Sequence, residues 1–221
     1  MALGFSENSG GGSAINPIIK YDTRSGEFLR VDRSQGSDGV WIKSESELPF
    51  PVRLAVDFAN IRVGWIGFVS GAPDFHMAPL DQPMPPRPDV KDAAGKPIHN
   101  QGFQVMVASK DLGLREFTSG AKTVTVPMDQ LHSAYESQKA DHEGKVPVVT
   151  ISGAERYSVD TPQGQLTFKK PVWSITEWID RPALFDGGGQ PSPAAAETAP
   201  AMVAPTASIT PSEAATGADL F

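Results

Sequence analysis

The stretch VRLAVDFANIRVGWIGFV, Val52–Val69, changes its periodicity halfway along. Apolar side chains first take even positions, Val52, Leu54, Val56 and Phe58, and then odd ones, Ala59, Ile61, Val63 and Trp65. Successive strand residues point to opposite faces, so a change of parity turns the buried face over. That demands a bulge or sharp bend near Phe58–Asn60. Gly64 and Gly67 allow further coiling. A long strand bent in this way can serve two sheets, which a small closed barrel requires. Two ordinary strands joined by a turn at Asn60 fit the same pattern.

On the N-terminal side, PIIKYDTRSGEFLRVDR (17–33) reads as two short strands around Arg24-Ser25-Gly26, a hairpin, followed by the loop SQGSDG. On the C-terminal side, APLDQPMPPRPDVKDAAGKPIHNQG carries six prolines and little apolar content, so residues 81–102 are expected to form a long loop. Apolar alternation returns at Phe103, Val105 and Val107, and again at Val124 and Val126. One helix is expected, with Pro127 at its first position, a stripe of Met128, Leu131, Ala134 and Tyr135, and Gly144 as its stop. Two further strands follow, Val146–Ile151 and Gln165–Ile179, the second closed by Asp180-Arg181-Pro182. Strands, one helix, then two strands is the order of an OB-fold, a five-stranded barrel whose helix plugs one end. The expected fold is therefore mainly β: an OB-fold-like barrel with one capping helix and an extra N-terminal hairpin, spanning residues 17–185.

Residues 1–16 are expected to be a flexible leader, lacking the basic start and apolar run of a signal peptide. Residues 186–221 contain ten alanines, five prolines, four acids and no lysine or arginine. Prolines at that spacing prevent the alanines from forming a helix, so a disordered, acidic tether is expected. It ends in Asp219, Leu220 and Phe221, apolar groups beside a free carboxylate at a position suited to docking on a partner. Residues 1–185 carry 19 basic and 22 acidic side chains, a net of −3, so more than half of the formal charge of −7 sits in the tail. A near-neutral body leaves room for a local basic stripe. The absence of cysteine excludes disulfides, zinc–thiolate centres and cysteine nucleophiles, and fits a reducing cytoplasm. No apolar run approaches the length of a membrane span.

Catalytic signatures are weak. Pro73-Asp74 with Glu143-Gly144-Lys145 imitates the acidic pair and lysine of a metal-dependent nuclease, but the second half falls at a helix exit. The histidines at 76, 99, 132 and 142 show no ligand spacing, so no metal or cofactor is expected. Binding to single-stranded nucleic acid asks for less, a groove of cations and aromatic faces on which bases stack. Lys20, Tyr21, Arg24, Phe28, Arg30 and Arg33 fall within 14 residues, and Trp41 and Lys43 follow. Lys110, Arg115, Phe117 and Lys122 form a second group, and Phe168, Lys169, Lys170 and Trp173 a third.

A strand-rich core, a tether without positive charge and an acidic tip ending in phenylalanine together resemble bacterial and phage single-stranded DNA-binding proteins. The segments KYDTRSGEFLRVDR, NIRVGWIGFVSGAPDF, REFTSGAK and EWIDRP look similar to a phage family of that role. The resemblance implies an OB barrel that coats single-stranded DNA and a tip that recruits replication, recombination or repair proteins, without enzymatic activity. The tip departs from the bacterial pattern, which has consecutive acids and a proline before the phenylalanine. Phosphates would then meet Lys and Arg, and bases the rings of Tyr21, Phe28 or Trp41. A homo-oligomer is compatible with this role. The competing expectations are a phage structural or assembly protein that binds no nucleic acid, and a nuclease built on Asp74 and Glu143.

Overall fold

The computed structural model describes residues 17–35, 39–161 and 164–186, without the side chains of Gln35, Trp41 and Thr161. The leader and the tail with Asp219, Leu220 and Phe221 lie outside the described residues. Val52–Val69 is where the chain turns its buried face. Strand β4, Val52–Val56, ends at a single 3-10 turn over Phe58–Asn60, and a further strand begins at Arg62. The turn is held by Asp57, buried beneath Arg181, whose two Nη atoms each donate to a carboxylate oxygen at 2.8 Å. Phe58 and Ile61 stay in the core across the break, while Ala59, expected inside, is exposed.

The remaining elements are β1 (Ile18–Tyr21), β2 (Phe28–Gln35), β3 (Trp41–Leu48), β5 (Arg62–Val69), β6 (Ala72–Pro79), β7 (Asn100–Ser109), β8 (Gly113–Ser119), α1 (Lys122–Gln138), β9 (Lys145–Thr161) and β10 (Gly164–Asp180). They make one sheet in the order β10-β9-β4-β7-β8-β1-β2-β3, with β5 pairing β7 and β6. All ladders are antiparallel except β1 on β8.

The sheet curls on itself. Phe28 of β2 and Trp173 of β10 stand near opposite ends of the strand order, yet their ring centroids are 6.4 Å apart. A backbone bond from Lys169 N–H to the Thr23 carbonyl, 2.7 Å, joins the β1–β2 turn to β10 across the seam. Inside lie Ile19, Phe28, Leu54, Val105, Phe117, Val149 and Ile151. One end is plugged by Val124, Met128, Leu131 and Tyr135 of α1, spaced for one helical face. The result is a mainly β, barrel-like fold with one capping helix among the described residues, in the element order expected of an OB-type barrel.

Three local expectations change. The helix begins at Lys122, five residues before Pro127, so Val124 and Val126 are helical rather than extended. Burial of Val124 against the barrel outweighs its β preference and the interior proline. The expected strand Val146–Ile151 runs on to Thr161, and β6 appears where none was assigned. Its hairpin turn is Ser70-Gly71, both with positive φ (50° and 82°), the geometry that matches strand twist.

Candidate nucleic-acid interface

The basic and aromatic residues expected at an interface divide into core, seam and surface. Tyr21, Phe28 and Phe117 are buried, with Phe28 centroids 4.8 Å from Tyr21 and 5.7 Å from Phe117. Burial pushes the Tyr21 phenol up to about 12. Trp173 is half-buried against them, its Nε1 donating to the Pro127 carbonyl at 3.2 Å. The expectation that Tyr21 and Phe28 stack on bases is therefore corrected, because their faces are enclosed by neighbouring rings. The Trp41 side chain lies outside the described residues.

Two cations are structural. Arg115 is 3% exposed, sits 2.7 Å from Asp32 and donates to the Leu112 and Val31 carbonyls. Burial pushes the Asp32 carboxyl up, but hydrogen bonds from Arg115 and Arg30 outweigh it and hold the group below its ordinary range. Lys169 donates from Nζ to the Ser25 carbonyl at 2.6 Å, pinning the seam.

The surface cations do not form one cluster. Register places Lys20, Arg33 and Lys43 on one face of the β1–β2–β3 sheet, with Arg33 directly opposite Lys43. Like charges facing each other across a ladder repel, so a bound anion would relieve the pair. Lys43 also meets Glu45 at 2.5 Å, and Arg30 meets Asp32 on the other face. Arg24 is exposed in the β1–β2 turn, which Asp22 braces by accepting from the Arg24 and Ser25 N–H groups. Lys110 and Lys122 flank β8 at opposite ends, separated by seven strand residues, about 23 Å. Lys170 pairs with Glu155 at 2.6 Å.

Two hairpin arms present further rings, Phe168 of the third basic-aromatic group together with Tyr157, Phe68 and Phe75, which were not singled out for an interface. β9 loses its second neighbour after Ile151, and beyond it β9 and β10 pair only with each other. Tyr157 lies directly opposite Phe168 there, and alternation adds Leu166 and Lys170 to the same face. Tyr157 and Leu166 are half-exposed, and Arg156 and Lys169 occupy the reverse face. On the second arm, β5 and β6 extend past the last β5–β7 pair at Ile66, with Phe68 (66% exposed) and Phe75 on one face. The signal for Tyr157 was available: in the sequence Tyr157 and Phe168 stand four residues before Thr161 and four after Gly164.

The reverse face of the β5–β6 arm brings together residues read as unrelated. Asp74 accepts from or faces His99 Nε2 at 2.9 Å through one oxygen and His76 Nε2 at 3.1 Å through the other. The hydrogen bond to His99 is the main cause holding the Asp74 carboxyl below its ordinary range. His76 is two residues from Asp74, on the same face of β6, a spacing that strand alternation makes legible; His99 arrives from the far end of the proline-rich segment. Glu143 belongs elsewhere, in a groove of about 310 Å³ with Phe58, Tyr135, His142 and Arg181.

Among the described residues no helix is long and apolar enough to cross a membrane. No family model matches the sequence, and no curated protein or solved structure matches it either.

Proposed function

We propose that this chain binds single-stranded DNA without sequence preference, through its two hairpin arms and the cations beside them. The observation that carries the reading is the β9–β10 arm: a cross-strand Tyr157–Phe168 pair on a surface edged by Lys170, with Arg156 behind. A half-exposed Tyr157 with a partly buried Phe168 opposite it, beside cations, suits stacked bases and tracked phosphates, and needs no base-edge hydrogen bonds. In barrels of this order, the connections after the first and fourth core strands flank the bound strand. Here those are the β5–β6 arm with its proline-rich continuation and the β9–β10 arm. The tip Asp219-Leu220-Phe221 is proposed to dock on replication or recombination proteins in the cytoplasm, and the chain itself to catalyse nothing.

Titration of labelled oligo-dT against a duplex of equal length, followed by anisotropy at low salt, tests this. Single strands should bind more tightly, and Tyr157→Ala and Phe168→Ala should each weaken binding by about 5- to 150-fold, the equivalent of about 1–3 kcal/mol of stacking. Equal affinity for duplex, or variants that bind as the parent does, would remove the proposal and favour an assembly role for the exposed arm surfaces.

A further inference from the structure

We infer that Asp74, His76 and His99 form a binding site for a divalent transition-metal ion of the zinc class. The ligand atoms of all three residues lie within 4.8 Å of one another. Two imidazole nitrogens and one carboxylate are the donor set of zinc and its first-row neighbours, whereas magnesium and calcium select oxygen.

The site is pre-formed by backbone. Asp74 stands directly across the β5–β6 ladder from Gly67, and the His99 ring fills the space a side chain would occupy there. A Cβ at Gly67 would lie 2.6 Å from His99 Cδ2 and 2.8 Å from Nε2. The ring is fully buried, its Nδ1 has no hydrogen-bond partner, and Nε2 points at Asp74. His76 approaches the same carboxylate from the exposed side, its ring 5.6 Å from that of His99. Without a cation, both histidines must donate an Nε2 proton to one carboxylate. With one, each ring takes the tautomer that carries its proton on Nδ1, and two Nε2 lone pairs and a carboxylate oxygen converge on the ion.

Tetrahedral zinc with bonds of about 2.0–2.1 Å holds its ligand atoms roughly 3.3 Å apart. The observed 2.9 and 3.1 Å, which run to the two different oxygens of Asp74, are close to that spacing, and with all three ligand atoms within 4.8 Å of one another the remaining closure is at most about 1.5 Å. Asp74 and His76, each about two-fifths exposed or less, are free to make that adjustment while His99 stays fixed. Three protein ligands leave the fourth position to water.

The ion would clamp β6 to the end of the proline-rich segment. That segment is already tied to β5: Arg87 lies 5.0 Å over the Trp65 ring and donates to the His99 carbonyl, and Trp65 Nε1 donates to the Pro85 carbonyl at 2.9 Å. The inference does not depend on nucleic-acid binding.

The test uses the full-length chain stripped by a chelator and dialysed. Calorimetric titration should find one Zn²⁺ per chain, Zn²⁺ but not Mg²⁺ should raise the thermal midpoint, and Co²⁺ should give visible d–d absorption. His76→Ala and Asp74→Asn should lose more affinity than the roughly 10- to 100-fold that removal of a merely supporting group costs. His142→Ala should bind as the parent does. Should His99→Ala fail to fold, the two more exposed variants decide. No Zn²⁺ binding, or unchanged binding by His76→Ala, would overturn the inference.

Discussion

Arg115 shows how a residue that looks like a phosphate ligand becomes part of the wall. Its guanidinium is enclosed between β8 and β2, bonded to Asp32 and to two carbonyls. Arg115→Met should lower stability by about 1–3 kcal/mol, since it strands those acceptors, while leaving single-strand affinity of the folded protein unchanged. Chemical unfolding and anisotropy read the two effects separately. The pair also predicts an acid limb. Asp32 has a folded-state pKa below its unfolded value of about 3.9. Its contribution is therefore complete above about pH 4 and lost as pH falls through the lower folded value. The thermal midpoint should decline over that window, and Arg115→Met should flatten the decline.

At the scale of the element, α1 carries a contradiction. Pro127 is its sixth residue, where it lacks the N–H that would bond to the Thr123 carbonyl. Four buried side chains on one face and the Trp173 bond to the Pro127 carbonyl hold the helix together in spite of it. Pro127→Ala restores the N–H and keeps the carbonyl, so it should raise stability by about 1–3 kcal/mol, measured by denaturant unfolding. A fall in stability would mean that the pyrrolidine ring's packing matters more than the missing bond. The β9–β10 arm is the converse case. Its outer residues bury little and have one neighbouring strand, so substitution of Tyr157 or Phe168 should leave the unfolding transition nearly unmoved while weakening DNA binding.

For the whole molecule, charge is divided by position. The near-neutral body and the cations scattered over several surfaces imply few phosphate contacts, each contributing roughly 0.7 to the log–log salt slope for single strands. The acidic tail adds negative charge tethered to the same body. Deleting residues 187–221 should tighten single-strand binding modestly at low salt, with the difference shrinking as salt is raised. Deleting only Asp219–Phe221 should spare folding and DNA binding, and abolish co-purification with a replication or recombination protein. Retention of every such partner would leave the tip without a docking role.

The sequence by itself determined what depends on neighbours in the chain. The parity switch at Phe58–Asn60, the β1–β2 hairpin, the long loop before β7 and the helix stripe of Met128, Leu131 and Tyr135 were legible, because strand and helix periods are local. Only the tertiary structure decided which aromatic rings are enclosed. Phe28 and Tyr157 sit in similar strand contexts, and the difference between them is where the sheet curls back and where it ends. The same holds for Asp74, His76 and His99: the first two are two residues apart, but the third is joined to them by a 22-residue excursion whose end only folding places beside Gly67. Contacts of that separation are set by how strands pair and how the barrel closes, and a linear pattern carries no record of either.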